Sequence, residues 1–237
     1  MIQFGYVALS LTMATILLLG YRYALNKLEL PSSIINKRFF WACLGLISWF
    51  VYVYLISKSG IMQDFGLPPR FPILLILPAF TFIAIAMIRN KRSKIFEVIP
   101  TSWTVFYQSF RIIIESLFVA TVAEGILHPE VTFQGYNYDI IFAITALIVG
   151  LGVYQFKWLS ERIVLYWNYL GLGVIAVIIF LFTTTVYVPE LWGKSETWAS
   201  VDLTTFPFTL VPAFLMPSAV MIHIFSIIGL KRKLNRS

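Results

Sequence analysis

Seven apolar stretches, over residues 2–21, 39–57, 71–88, 102–123, 140–155, 163–187 and 206–230, alternate along this chain with loops that carry positive charge on every second turn. A helix needs about 20 apolar residues to cross roughly 30 Å of hydrocarbon, so the pattern predicts seven spans, of which the fifth is the shortest. The loops after the odd stretches hold Arg22, Lys27, Lys37 and Arg38, then Arg89, Lys91, Arg92 and Lys94, then Lys157 and Arg162, then Lys231, Arg232, Lys233 and Arg236. These are 14 of the 18 basic residues; the even loops hold only Lys58, Arg70 and Lys194. Basic loops stay on the cytoplasmic side, which predicts an outside N-terminus and a cytoplasmic C-terminus. The expectation is an all-α, polytopic membrane bundle of seven helices in the cell inner membrane.

Composition sharpens what is excluded. At 59% hydrophobic and 12% charged, the chain has about half the charge of a soluble domain. The spans use most of the 237 residues and leave no room for a soluble domain, so residues 1–237 read as one unit. The first stretch is followed, not preceded, by basic residues and lacks a small-residue cleavage site, so it reads as a span and not a signal peptide. The net charge of +7 is accounted for by loops facing anionic lipid headgroups, and nucleic acid is not an expected partner. Cys43 stands alone, so an intramolecular disulfide is excluded.

The eighteenth basic residue, Arg111, lies inside the fourth stretch, where Gln108, Arg111 and Glu115 share one helical face. Arg111 and Glu115 are spaced i,i+4 and are expected to pair directly. An ionisable group at the bilayer centre costs at least about 2.5–3.5 kcal/mol, so this stripe must face the bundle interior. At about 1.5 Å per residue, Arg111 lies about 14 Å from the cytoplasmic end of its helix. On the same scale Gln108, Asn168 and His223 lie at about 9, 8 and 10 Å. Gln108, Arg111, Glu115, Asn168 and His223 are therefore the candidate ligand-binding residues, a polar layer built from the fourth, sixth and seventh spans.

Other features read as architecture. Trp41, Trp103, Trp158, Trp192 and Trp198 fall at span ends, where aromatic rings belt the interface. Pro78, Pro212 and Pro217 lie inside spans, and each frees a carbonyl that neighbouring helices must satisfy. The outer segment from Glu124 to Asp139 lacks Lys and Arg, and Glu190, Glu196 and Asp202 add acid to the next outer loop. Glu124, His128, Glu130 and Asp139 follow no established metal spacing, so neither metal nor cofactor is expected. Asn137 or Asp139 is expected to cap the fifth helix. H-E-x-x-H, G-x-S-x-G and Gly-rich phosphate loops are missing, and residues 206–230 offer no Lys for a retinal Schiff base.

Two motifs recur in order. Trp41-Ala-Cys-Leu-Gly-Leu matches Trp167-Asn-Tyr-Leu-Gly-Leu, and Phe71-Pro with Pro78-Ala-Phe matches Phe206-Pro with Pro212-Ala-Phe. They suggest parallel three-helix units at 1–88 and 140–230 joined by a linker helix at 102–123, an arrangement found in transporters. Chance recurrence of common membrane residues is the competing reading. The blocks Tyr107-Gln-Ser-Phe-Arg111 to Glu115, Pro129 to Asp139, and Phe206-Pro-Phe with Pro212, Pro217 and His223 resemble a group of small, uncharacterised bacterial integral-membrane proteins. That resemblance covers about the C-terminal half and implies no activity. The three-plus-one-plus-three order is similar to SWEET-type sugar transporters, although here the prolines lie in the third helix of each unit and not in the first two. The leading functional expectation is a polar site that binds or moves a small solute or protons. Competing expectations are a non-catalytic membrane partner or assembly protein with a structural ion pair, and an enzyme acting on a lipid-linked substrate.

Overall fold

The computed structural model describes residues 1–195, 197 and 199–236. Trp198 and Glu196, read above as an interfacial ring and a loop acid, lie outside the described residues. Long runs of Leu, Ile, Val and Phe without an interior proline make three continuous helices, α1 (Ile2–Lys27), α2 (Ser32–Lys58) and α8 (Glu161–Tyr187). Each is about 40 Å long, more than a hydrocarbon core requires.

Where proline falls, the helix changes pitch. The third stretch opens with a wide, π-type turn, Pro72–Ile76, before α3 (Leu77–Asn90), and the seventh opens with another, Val211–Leu215, before α9 (Met216–Leu234). Pro78 and Pro217 each lie six residues after the start of their π turn. Neither can donate to the carbonyl four residues back, at Leu74 and Ala213 respectively. Helix α2 supplies both missing donors. The Tyr52 hydroxyl donates to the Leu74 carbonyl and the Trp49 indole to the Ala213 carbonyl, each at 2.9 Å. The two donor rings stack, with centroids 5.1 Å apart. By this local geometry Pro78 corresponds to Pro217, five residues beyond its sequence match at Pro212.

The fourth stretch is also interrupted. After a short helix in the preceding loop, α4 (Ile95–Val98), it comprises α5 (Thr101–Tyr107) and α6 (Phe110–Ala123). At Gln108 and Ser109 the backbone tightens to bonds spanning three residues, such as Arg111 N–H to the Gln108 carbonyl at 3.2 Å. The fifth stretch is α7 (Asp139–Gly150), which a third π turn, Leu151–Gln155, extends. Among the described residues the chain is all-helical, and six helices are long and apolar enough to cross a membrane. The seventh candidate, Asp139–Gln155, is shorter.

Helices α9 and α6 form the enclosed centre. Helix α9 packs on α3, α4, α5 and α8, and α6 packs on α1 and α7. Helices α2 and α3 instead turn large apolar side chains outward, including Phe40, Ile47, Leu55, Leu77, Phe82 and Ile88. Such a surface would be a liability in water and is the natural one against lipid. At one end, Arg232 and Arg236 both bond to Glu97, at 3.1 and 2.7 Å, and Lys233 bonds to Glu161 at 2.6 Å. These contacts bring the loops after the third and fifth stretches to the C-terminus, as the alternation of charge requires. At the other end, Leu127 and Ala199 form a bridge, and the Ser200 amide donates to the Ile126 carbonyl at 3.0 Å. That bridge ties the loop after the fourth stretch to the loop after the sixth.

Two outcomes follow. Tyr52→Phe should destabilise the protein by about 1–3 kcal/mol, because it strands a carbonyl in apolar surroundings. The loss should shrink when combined with Pro78→Ala, which restores a backbone donor; thermal unfolding of the four variants in micelles measures the difference. Glu97 titrates next. Slight burial pushes its carboxyl up, and hydrogen bonds from Arg236 and Arg232 outweigh that and hold it below the ordinary value of 4.5. Its stabilisation is therefore complete above pH 4.5 and is lost as pH falls through the lower folded value. Amide-exchange protection of residues 231–234 should drop over that acid range in the native protein. In Glu97→Gln it should already be low at neutral pH and show no acid step.

Candidate functional site

The segment between α6 and α7 does not stay at the surface. A short turn at Pro129–Val131 buries Val131, and the chain then carries Thr132, Asn137 and Asp139 into the bundle. Asp139 meets Arg111 side-on: Nε donates to Oδ2 at 2.9 Å and Nη2 to Oδ1, a two-pronged ion pair. The guanidinium carbon lies 5.0 Å from the centroid of the Phe142 ring. Glu115, the expected partner of Arg111, is bound elsewhere. Its Oε1 accepts from Asn137 Nδ2 at 3.0 Å, and Asn137 Oδ1 accepts the Asp139 amide at 3.0 Å. Asn137 thus ties the first amide of α7 to Glu115 with one side chain.

The direct Arg111–Glu115 pair expected from i,i+4 spacing is corrected by this geometry. A flat guanidinium is best matched by two parallel bonds to one carboxylate, and Asp139 at the start of α7 offers both oxygens in that plane. A neighbour on the same helix satisfies spacing alone. Sequence reading placed Asp139 as a helix cap and loop acid and Asn137 as a cap, and missed both as members of the buried cluster. The signal available was an Asp and an Asn at the foot of a short apolar span, in a loop free of Lys and Arg.

Asn168 and His223 form a second network toward the other end. Asn168 Nδ2 donates to the Val164 carbonyl at 2.7 Å and to Ser226 Oγ at 3.1 Å. Its Oδ1 is therefore left to accept from His223 Nδ1, 2.8 Å away, so the neutral imidazole turns an acceptor, Nε2, inward. Thr104 Oγ1 donates to Ser226 Oγ at 3.1 Å and extends the chain. Gly171 allows this approach, since a Cβ there would stand 2.5 Å from His223 Cε1. Phe142 separates the two networks. Its ring stacks on Trp167 at 4.8 Å, lies 5.9 Å from the His223 ring, and carries Arg111 over its face. Gln108 joins neither network; its Nε2 donates to the Ala219 carbonyl of α9 at 3.0 Å.

All five expected site residues are buried, with Gln108, Glu115, Asn168 and His223 fully so. Among the described residues, four of their polar atoms have no protein partner: Gln108 Oε1, Arg111 Nη1, Glu115 Oε2 and His223 Nε2. A hollow of about 10 Å³ touches Thr104 and Ser226, large enough for about one water. A larger cavity lies among apolar side chains, and neither is lined by Arg111, Glu115 or His223. Among the described residues, no three His, Cys, Asp or Glu side chains assemble as a metal-ligand group.

Compared with protein-family models, curated proteins and solved structures, the chain gives no match. Its function is therefore argued from the site alone. Arg111→Leu should destabilise the protein by about 3–5 kcal/mol, because it leaves a buried carboxylate without its cation. Adding Asp139→Leu should recover much of that loss, and adding Glu115→Leu should not. Unfolding of the single and the two double variants in micelles distinguishes the partners; recovery with Glu115→Leu alone would reverse the pairing.

Proposed function

We propose that this chain is a seven-span inner-membrane protein whose buried cluster binds and passes a proton. The observation that carries the reading is a charge imbalance. Arg111 faces one carboxylate, Asp139, while a second, Glu115, is fully buried with only a neutral amide as partner. A bare carboxylate in low-dielectric surroundings costs several kcal/mol even after relaxation. Uptake of one proton on Glu115 removes that cost and gives Oε2 a hydrogen to donate. Buried carboxylates and histidines of this kind are the usual members of proton relays.

The remaining groups support a path in two sections. On the cytoplasmic side, the hollow at Thr104 and Ser226 leads through Asn168 to His223 Nε2. On the outer side, Asn137 joins Glu115 to Asp139 at the foot of α7. Phe142 and Arg111 stand between the two sections. The 14-to-three distribution of basic residues supports a cytoplasmic C-terminus. The matched π turns of the third and seventh spans favour two related three-helix units, with the fourth span as linker.

A second reading, a structural cluster without transport, is favoured by the close packing around Arg111. One experiment separates them. Protein reconstituted in liposomes with an internal pH-sensitive dye is exposed to a potassium diffusion potential, and proton entry is followed. Native protein should carry a flux above that of empty liposomes, and Glu115→Gln should abolish it while keeping the native melting temperature. Infrared spectra should show a protonated-carboxyl band that the same substitution removes. Equal flux and equal spectra in the two proteins would leave only the structural role.

A further inference from the structure

We infer that a cleft between the outer ends of the third and sixth spans holds one acyl chain of a bilayer phospholipid, with Arg70 against its phosphate. The cavity measures about 100 Å³, on the scale of the ~150 Å³ cavity that takes a benzene ring. Pro72 and Ile76 form one wall, Ile179 and Phe182 the opposite wall, and Val211 and Met216 of the seventh span the floor. Helix α9 packs against both α3 and α8 and stands behind them. Phe65 and Leu203, from the loops that precede the third and seventh stretches, also line the cavity.

The chemistry of the lining selects the occupant. Apart from Thr183, the hydroxyls of the lining have partners inside the protein. Tyr6 bonds to Thr121 at 2.7 Å, Tyr187 accepts the Phe71 amide at 3.1 Å, and Thr204 donates to the Val201 carbonyl at 2.7 Å. A polar ligand would find only the Thr183 hydroxyl and the Tyr187 hydrogen to bond, and would lose most of its hydration. Hydrocarbon loses nothing on entry, and the exposed apolar faces of α3 and α8 on either side put lipid at the opening. Ile73, Leu77, Val177 and Phe180 are all exposed there.

The rim supplies the complement for a headgroup. Arg70 immediately precedes Phe71 of the lining and is close enough to act electrostatically on Tyr187. It is one of only three basic residues in the even, outer loops. Its side chain is 42% exposed and is held by Asp64 at 2.8 Å and the Ile61 carbonyl at 3.3 Å. Those contacts fix the guanidinium in place while leaving donors for a phosphate. The polar relay and this cleft are independent, so either can fail without the other.

The test uses the whole protein in bilayer discs containing phosphatidylglycerol with a photoreactive diazirine midway along one acyl chain. After irradiation and digestion, adducts should concentrate on residues 71–76 and 179–186, above their level on the equally lipid-facing α2. Thr183→Phe, which fills the cleft, should lower those adducts by about tenfold and leave labelling at Phe82 and Ile85 of α3 unchanged. Arg70→Gln should lower them less, through loss of the headgroup contact. Should Thr183→Phe not fold, Val186→Phe fills the same space and takes its place. Adducts spread in proportion to exposure, labelling of the cleft that survives filling, or crosslinks joining two protein copies at this face would each overturn the assignment.

Discussion

The ion pair between Arg111 and Asp139 is the contact on which the arrangement of the inner helices depends. Arginine cannot give up its charge in a protein, so the fourth span enters the bundle only if a carboxylate comes to meet it. The carboxylate arrives on the next span, at its first residue, and this sets where α7 begins. It also pulls the preceding loop inward, which buries Val131, Thr132 and Asn137. Asn137 then bridges to Glu115, and Phe142, one turn beyond Asp139, slides beneath the guanidinium. One electrostatic demand therefore positions a loop, a helix start and an aromatic wall. It also creates the surplus carboxylate, because the cation that would otherwise serve Glu115 is already taken.

A second constraint acts at the prolines. A membrane interior offers no water to a freed carbonyl, so each helix break has to be closed by a side chain. Trp49 and Tyr52 do this for two different helices from adjacent turns of α2, which explains why a helix so exposed to lipid still has a fixed rotation. Helix α2 contributes little to the core by burial. Its hold on the bundle includes these two hydrogen bonds, a buried Ser57–Thr209 hydroxyl pair at 2.8 Å and ring contacts to Phe206 and Phe214, with the hydrogen bonds strengthened where water is excluded. The same π turns that these bonds close also form part of the wall and floor of the apolar cleft, through Pro72 and Val211.

Much of this was legible in the residues. The long apolar stretches, though not the ends of the first two helices, which overrun their apolar limits by six and seven residues, and the burial of Gln108, Arg111, Glu115, Asn168 and His223 follow from the cost of placing polar groups in hydrocarbon. The prolines announced freed carbonyls, though not their donors. What could not be read was partnership across helices. Spacing within one helix offers Glu115 to Arg111, but the planar match to Asp139 depends on how α7 packs beside α6. Depth alone likewise merged two networks into one layer, because it carries no information about rotation. Phe142, which keeps His223 and Arg111 apart, looks from the sequence like any other apolar residue. The tightened turn at Gln108 was equally hidden, since no proline or glycine marks it, and it diverts Gln108 to the backbone of α9.

The placement of Tyr6 and Phe118 shows how the charged cluster and the apolar cleft coexist at one depth. Both line the cleft, and Phe118 lies three residues beyond Glu115 on the inner face of α6. Tyr6 is close enough to Glu115 to sense its charge, yet its hydroxyl is bonded to Thr121, and its ring packs edge-on to Phe208 at 5.2 Å. These two rings form a wall one side chain thick. If hydrocarbon reached Glu115, the surplus carboxylate would lose the polar surroundings supplied by Asn137. If water crossed the other way, the cluster would open to the cleft without passing Asp139. An aromatic wall with its only hydroxyl already bonded opposes both, since it offers no polar foothold on the lipid side and no gap for water. If Glu115 takes up a proton as proposed, this wall keeps its exchange along the cluster's own hydrogen-bonded partners.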